Sequence, residues 1–295
     1  MLNYKFTIFT PTYNRENTLL RCYQSILDQN VHNIEWIVID DGSMDQTKEL
    51  IHSIMKTAPF EITYIYQKNS GKQACWNLAL SKAKGEFFIG LDSDDCLADN
   101  SLNHIRSYLN FSEKTNIIGL RCQSLNKESN RFDSKYMPDN GLECSWYNEF
   151  FSKKHGEKID IFKTELIKKI PYPVSEDIKF IPELYLYNEI SANGYLFLYL
   201  NIPVRVFFND QPALTRLSNA STQKNCLGYF IAYSSLYYTV PLTKWISSPV
   251  LLARVLFRLN QSIFYLKIDS TDSFKNLKIK SACILVTLLN KFRKK

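Results

Sequence analysis

The sequence predicts an α/β protein in which a mostly parallel central sheet is flanked by helices and followed by a helical C-terminal region. Strand-like and helix-like segments alternate through the first 125 residues, and the run IEWIVI at 34–39 has the continuous apolar character of a strand covered on both faces. From Cys226 onward, apolar residues follow helical spacing. The composition, with 45% hydrophobic and 22% charged residues, is that of a globular protein and excludes a disordered or collagen-like chain.

The first part of the chain contains four predicted strands separated by three predicted helices. β-branched and aromatic residues mark the strands, and apolar residues three or four positions apart mark the helices. The segments are strand 6–10, helix 15–29, strand 34–39, helix 44–55 with Ser43 as its N-cap, strand 61–66, helix 72–83 and strand 86–91. Because a helix joins each strand to the next, the strands are expected to run parallel.

The pattern is looser after residue 125. Residues 126–141 are polar and predict a loop, and 177–192 predict a helix that Pro182 interrupts. Short strand-like runs occupy 159–162, 195–200 and 204–208. We therefore expect one α/β domain at 1–225, made of the halves 1–100 and 101–225, and a basic helical region at 226–295.

The formal net charge of +7 is concentrated near the C-terminus. Residues 244–295 contain 11 Lys and Arg against two acidic residues, whereas the rest of the chain holds 25 Lys and Arg and 27 Asp and Glu. A near-neutral main part argues against a nucleic-acid partner, because binding phosphates requires clustered cations. An anionic membrane surface is the partner that a basic tail favours.

Two apolar stripes at helical spacing run through this basic region. They are formed by Leu252, Val255, Leu256, Leu259, Ile263 and Leu266, and by Leu285, Leu288, Leu289 and Phe292. One interpretation is packing on the rest of the protein or on a second subunit of a homo-oligomer. The other is an interfacial membrane anchor, with apolar faces in the headgroup region and lysines on anionic lipid.

Cysteine usage and the N-terminal residues predict a cytoplasmic protein. The seven cysteines are odd in number and form no CxxC pair, which is typical of reduced thiols. The residues MLNYKFTIFT lead directly into a strand pattern, so we expect no signal peptide, and no apolar run reaches the length of a membrane span. Lipid binding by the basic helices would place the protein peripherally on the cytoplasmic membrane face.

Polar and acidic residues follow three of the predicted strands. The first strand leads into Thr10-Pro11-Thr12-Tyr13-Asn14-Arg15, the second into Asp40-Asp41-Gly42-Ser43 and the fourth into Asp92-Ser93-Asp94-Asp95. The carboxyl ends of parallel strands share one edge of a sheet, so five carboxylates should gather there and require a cation. Mn²⁺ or Mg²⁺ fits, since these ions take oxygen ligands and share their shell with substrate phosphates. The residues predict a site for a metal-bound nucleoside diphosphate, while each acidic motif alone also fits a turn and a helix cap.

Three segments carry a resemblance to a known family. TPTYNRENTL at 10–19, IVIDDGSMDQT at 37–47 and NSGKQACWNLALSKAKGEFFIGLDSDD at 69–95 resemble, in order and spacing, the N-terminal half of family 2 glycosyltransferases, which have the GT-A fold. This resemblance covers residues 5–100. The segment 158–188, which includes Phe180-Ile181-Pro182-Glu183, resembles a bacterial subgroup of that family, of the surface-glycan type.

The resemblance implies roles for the strand-end residues. The implied nucleotide contacts are Thr10, Thr12, Tyr13, Arg15, Asp41, Lys72 and Asp94, and the implied metal ligands are Asp92, Asp94 and Asp95. Tyr13 would stack on the base and Asp41 would contact the base edge, while Asp40 would support the loop. Arg216 is a candidate for a phosphate contact.

Glu176 and Asp177 are the candidates for the general base that an acceptor hydroxyl needs. They lie where a helix is expected to begin and resemble the acidic pair that supplies the base in inverting members of the family. We favour Asp177, although an alignment on Phe180-Ile181-Pro182-Glu183 favours Glu176. Two acids that complement a helix dipole are the structural alternative.

Together these features predict a metal-dependent, inverting glycosyltransferase. It would move a sugar from a nucleotide-diphosphate sugar, with UDP favoured, to a hydroxyl of a glycan or lipid-linked acceptor in bacterial surface polysaccharide synthesis. A sugar-1-phosphate nucleotidyltransferase is the first alternative, but its Gly-rich basic loop is missing from TPTYNR. A catalytically inert glycan-binding scaffold subunit is the second, and the complete set Asp92, Asp94 and Asp95 disfavours it.

Overall fold

The computed structural model describes residues 5–209 and 221–266, which form an α/β fold around one ten-stranded mixed sheet. The strands are β1 Phe6–Thr12, β2 Ile34–Asp40, β3 Glu61–Tyr66, β4 Phe87–Gly90, β5 Cys96–Leu97, β6 Ile117–Asn126, β7 Arg131–Phe132, β8 Leu142–Cys144, β9 Lys158–Lys163 and β10 Leu196–Phe207. The helices are α1 Leu19–Leu27, α2 Thr47–Met55, α3 Lys72–Lys82, α4 Ser101–His104, α5 Trp146–Ser152, α6 Thr164–Ile167, α7 Leu184–Ala192, α8 Cys226–Thr239, α9 Leu242–Ile246 and α10 Pro249–Tyr265. A 3₁₀ segment, Arg106–Glu113, follows α4.

The sheet has the strand order β3-β2-β1-β4-β9-β6-β10-β5, with β7 paired to β6 and β8 paired to β10. Strands β1 to β4 are parallel, as the alternation of strands and helices predicts. Strand β9 runs antiparallel between β4 and β6, so it joins the two halves of the chain in one hydrogen-bonded ladder. The parallel strands therefore end at one common edge.

The second half differs from the prediction in two strands. Strand β6 is buried along most of its length, and the sequence pattern did not predict it. The predicted strands 195–200 and 204–208 form one strand, β10, whose register against β6 shifts between Leu200 and Pro203. Pro203 has no amide hydrogen for the ladder, which explains the interruption in the strand pattern. The predicted loop 126–141 also contains the short strand β7.

Three helices begin later than predicted, and the first of them, α1, begins at Leu19 and not at residue 15. Helix α2 begins at Thr47, and Ser43 is not its N-cap, because the Ser43 hydroxyl accepts a hydrogen bond from the backbone of Asn14 at 2.9 Å instead. Helix α7 begins at Leu184, after Pro182. The predicted helix start at Asp177 is therefore wrong, and Glu176 and Asp177 lie in the loop that precedes α7.

Two apolar clusters cover the two faces of the sheet. Ile8 and Trp36 face the cluster formed with α1, α2 and α4, whereas Phe9 and Phe88 face the cluster formed with α3 and α5 to α10. All residues of β2 are buried, as the IEWIVI run predicts. Because side chains alternate along a strand, each central strand contributes to both clusters and is fixed in register.

Helices α8 and α10 pack against the second cluster. Val255 is buried there with Ala232, and Leu252 packs partly buried beside them. Two residues of the first predicted stripe, Leu252 and Val255, thus pack on the core, and its other four residues are half-buried. Among the described helices, none is both long enough and apolar enough to cross a membrane. The second predicted stripe, at 285–292, lies outside the described residues.

Candidate active site

An acidic turn follows β4 at the common edge of the parallel strands. Asp92, Asp94 and Asp95 each offer a carboxylate oxygen, and these oxygens lie within 4.8 Å of one another. The backbone of Asp95 donates to the Asp92 carbonyl at 3.0 Å, and Nη2 of Arg21 donates to the Asp94 carbonyl at 2.6 Å. The turn is therefore fixed by backbone contacts before any ligand binds.

Each of the three carboxylates has a basic partner. Lys72 Nζ lies 2.8 Å from Oδ1 and 3.0 Å from Oδ2 of Asp92. Arg15 Nη2 lies 3.7 Å from Oδ2 of Asp94, and Arg205 Nη1 lies 3.4 Å from Oδ2 of Asp95. Arg205 comes from β10, at a position paired with Leu97 of β5, so the second half of the chain reaches directly into this turn.

The three acids of the turn differ in the direction in which their pKa values are shifted. Burial, with repulsion from Asp92, Asp94 and Glu157, raises the pKa of Asp95 to about 7, although Arg205 opposes this shift. Burial and Asp92 also raise the pKa of Asp94. Burial likewise opposes ionisation of Asp92, but Lys72 outweighs it and lowers the pKa of Asp92. An all-oxygen ligand set of three carboxylates fits a hard divalent cation, so the residues present suit Mn²⁺ or Mg²⁺.

Asp40 and Asp41 hold loops at the end of β2. Asp40 is fully buried and accepts hydrogen bonds from the Ser43 amide at 2.7 Å and the Tyr64 hydroxyl at 2.8 Å. Asp41 accepts from the amides of Ser70 at 2.7 Å and Gly71 at 2.8 Å, and from the Gln67 side chain at 2.8 Å. The Cys75 thiol also hydrogen-bonds Asp41, so this buried carboxylate holds the loop 67–71 and the start of α3 together.

The predicted residues after β1 divide into two groups. Thr10 is fully buried and accepts from Trp36 Nε1 at 2.9 Å, so its side chain faces the core and away from the edge. Thr12 is buried, and its hydroxyl has no hydrogen-bond partner among the described residues. Tyr13 is 45% exposed at the edge, and Arg15 approaches the acidic turn. The edge thus offers an exposed ring and a cation from β1.

The segment 172–183, which contains both candidate bases, is attached to α3. The Asn77 side chain bonds to the backbone of Tyr172 in both directions, at 2.8 and 3.0 Å, and Gln73 donates to the Ile181 carbonyl at 2.8 Å. Lys72 also contacts Glu183, at 3.2 Å. Helix α3 therefore fixes the base-bearing segment close to the acidic turn.

Glu176 and Asp177 are exposed in a tight turn of this segment. The Ile178 amide closes the turn on the Ser175 carbonyl at 3.0 Å. Within 5–209 and 221–266, no hydrogen bond or ion pair involves either carboxylate. Both acids are thus available to a substrate. Arg216 lies outside the described residues.

Sequence reasoning missed Arg21 and Arg205. Arg21 lies in α1 and Arg205 within β10, each far along the chain from Asp95 and in no recognisable motif. The one sequence signal was a cation inside the otherwise apolar strand VRVF, where an unpaired charge would be costly.

This sheet and its acidic turn define a protein of the GT-A type, with a parallel four-stranded first half. The family model "Glycosyl transferase family 2" matches residues 7–169, and the chain belongs to this family.

Individual proteins that are similar to this chain agree with the family assignment. The minor teichoic acid biosynthesis protein GgaA of Bacillus subtilis is 38% identical over 120 residues, which cover 39% of this chain and 27% of GgaA. The chain spans between 16% and 44% of the length of the first three curated relatives that it matches.

Two solved structures share the fold. TarS of S. aureus, in complex with UDP-GlcNAc, has a TM-score of 0.65 at 17% identity, covering 96% of this chain and 79% of that one. The mannosyltransferase PcManGT of Pyrobaculum calidifontis, in complex with GDP-Man and Mn²⁺, has a TM-score of 0.57 at 18% identity, covering 99% of this chain and 84% of that one.

Proposed function

We propose that this protein is a divalent-metal-dependent, inverting glycosyltransferase. It transfers a sugar from a nucleotide-diphosphate sugar to a hydroxyl of a glycan or lipid-linked acceptor in bacterial surface polysaccharide synthesis. The observation that carries the proposal is the acidic turn 92–95, which lies beside Lys72 and the end of β1.

The donor side of the site is suited to a metal-bound diphosphate. Asp92, Asp94 and Asp95 are the residues that would hold Mn²⁺ or Mg²⁺. When bound, the ion supplies Lewis-acid stabilisation of the leaving diphosphate. Lys72 and Arg15 supply positive charge at the same edge, and Tyr13 supplies an exposed ring for the base. The complexes of TarS with UDP-GlcNAc and of PcManGT with GDP-Man support this class of donor, and we favour UDP.

The acceptor side is suited to base catalysis by Asp177. Its carboxylate is exposed, and the segment that carries it is attached to α3 beside Lys72 and Glu183. A free carboxylate accepts a proton from an acceptor hydroxyl at the moment of attack, and such assistance contributes about 10²–10⁴-fold to a rate. Glu176 remains the alternative base. The relationship to GgaA supports a surface glycan as acceptor.

Calorimetry with UDP, GDP and CMP, each with and without Mn²⁺, tests the proposal. We expect one of the nucleoside diphosphates to bind at least about tenfold more tightly when Mn²⁺ is present. Asp92→Asn should abolish that enhancement, and Asp99→Asn, an exposed acid a few residues beyond the turn, should keep it. The enzyme proposal fails if no nucleotide binds in a metal-dependent way.

The alternative reactions are separated by their products. Mass spectrometry of reactions with a panel of nucleotide sugars should detect free nucleoside diphosphate and a glycosylated acceptor. A nucleotidyltransferase would instead release pyrophosphate from a nucleoside triphosphate. A scaffold subunit would bind glycan and release neither product.

A further inference from the structure

The three ion pairs of the acidic turn differ in how firmly the structure holds them. Arg205 and Asp95 are buried, with side chains 10% and 9% exposed. The Arg205 guanidinium is also tied to Ser124 Oγ at 2.9 Å and to Glu157 at 2.6 Å. A planar guanidinium with three fixed partners has little freedom to move.

The pair of Lys72 and Asp92 lies nearer the surface. Their side chains are 23% and 35% exposed, and within the described part of the chain the Lys72 ammonium donates to carboxylates and to no backbone carbonyl. Lys72 is the first residue of α3 and also contacts Glu183, so its ammonium lies between two carboxylates. An ammonium on a flexible four-carbon stem can shift between such partners without disturbing the backbone.

We propose that Lys72 is an exchangeable counter-ion for Asp92. In the ligand-free protein its ammonium neutralises the carboxylate that a divalent cation needs, and when the nucleotide arrives it moves to the diphosphate and leaves Asp92 to the ion. Arg205 does not exchange. It is a positioning residue that keeps Asp95 in the turn in both states. This inference rests on the proposed metal and nucleotide binding.

The exchange has a thermodynamic signature. The Lys72 ammonium lies within 3.0 Å of both oxygens of Asp92, so it competes with a metal ion for them. Any ligand that draws Lys72 away strengthens metal binding, and by reciprocity the metal strengthens binding of that ligand. Part of the coupling between Mn²⁺ and nucleotide should therefore depend on Lys72 itself.

The test measures the affinity for Mn²⁺ with and without saturating UDP, from the electron paramagnetic resonance signal of free Mn²⁺, corrected for Mn²⁺ bound by free UDP. For Lys72→Met we expect Mn²⁺ alone to bind about three- to tenfold more tightly than to the wild type. The enhancement by UDP should fall by a similar factor. Lys82→Met is the matched control, because Lys82 is exposed at the other end of α3, about 15 Å along the helix axis, and it should match the wild type.

The variant Lys72→Arg distinguishes movement of the Lys72 ammonium away from Asp92 from a general effect of positive charge on Mn²⁺ binding. A guanidinium can hold Asp92 in a two-bond pair, so Mn²⁺ alone should bind this variant no better than the wild type, and more weakly if the pair forms. An unchanged UDP enhancement in Lys72→Met overturns the counter-ion role, as does weaker binding of Mn²⁺ alone. Failure of the wild type to bind Mn²⁺ even with UDP would count against the proposed function instead.

Discussion

Asp177 and Glu176 are neighbouring carboxylates with the same exposure but different expected roles. We predict that Asp177→Asn lowers kcat by about 10³-fold, because the amide cannot take the proton of the acceptor hydroxyl. Glu176→Gln should lower it by less than about tenfold. Both variants should bind UDP and Mn²⁺ like the wild type, since neither residue contacts the acidic turn in the described structure. The measurement is steady-state kinetics with the donor identified by the screen.

The opposite ranking would assign the base to Glu176. Equal and small losses in both variants would leave neither as the base, and the acids would then serve only the turn before α7. Calorimetry with UDP distinguishes a loss of catalysis from a loss of donor binding.

The residues of the candidate site were predictable where they share a short stretch of sequence. Asp92, Asp94 and Asp95 follow one strand directly, so a motif contains them. Arg205 and Arg21 could not be predicted, because only the pairing of β5 with β10 and the packing of α1 bring them to the turn. Thr10 shows a limit of the motif, since it lies in the same short stretch as Tyr13 and Arg15 but its hydroxyl accepts a hydrogen bond from Trp36 in the core.

Among the elements, the loop 69–71 and the segment 172–183 are in direct contact, and Lys179 donates to the Asn69 carbonyl at 3.0 Å. Gly71 has φ 92°, and a Cβ at this position would lie 1.8 Å from the Lys179 carbonyl oxygen. We predict that Gly71→Ala separates the two segments and lowers kcat. It should also destabilise the protein by more than the ~1 kcal/mol that a positive φ alone costs an alanine.

Gly194→Ala is the matched control for this prediction. Gly194 has φ 79°, but a Cβ there meets nothing within 4 Å. Its substitution therefore measures only the cost in stability of placing an alanine at positive φ. Thermal unfolding and steady-state kinetics of both variants provide the comparison. If the two variants lose equal stability and Gly71→Ala keeps full activity, the contact between the segments has no role in the site.

The elements of the first half were predictable because each strand and helix has its own periodicity. The predicted ends of the helices were wrong where tertiary contacts determine where a helix begins. The residues before α2 are held by Asn14 and Glu16, so the helix begins after them, and Pro182 moves the start of α7. Strand β6 was missed because the buried polar residues Arg121, Gln123 and Ser124 interrupt its apolar run.

At the scale of the whole molecule, the packing of α10 moves the proposed membrane contact to a different face. Two residues of the predicted stripe pack on the core, while Phe257 and Phe264 on the other side are 65% and 77% exposed. Arg254 and Arg258 lie beside them, and residues 221–266 contain no Asp or Glu. An exposed apolar and basic surface of this kind is suited to an anionic lipid interface.

We predict that the protein floats with phosphatidylglycerol vesicles and not with neutral phosphatidylcholine vesicles. Replacing Phe257 and Phe264 together by Ser should lower the partition by at least about tenfold, because two aromatic side chains are lost from the interface. The control variant replaces Met55 and Met137 together by Ser, because both are exposed outside α10, and it should partition like the wild type. Equal flotation of the two double variants would argue against this face, and a change in oligomeric state of the phenylalanine variant would point to a second subunit.

Strand β9 has a mechanical consequence for the whole protein. It is hydrogen-bonded to β4, which leads into the acidic turn, and to β6, which belongs to the second half of the chain. A closing motion of one half over the other would have to break this ladder, so the spacing between the two halves is set when the chain folds. Differences in sugar or acceptor preference among relatives with the same sheet should therefore reside in the loops at its edge, where residues can change without altering that spacing.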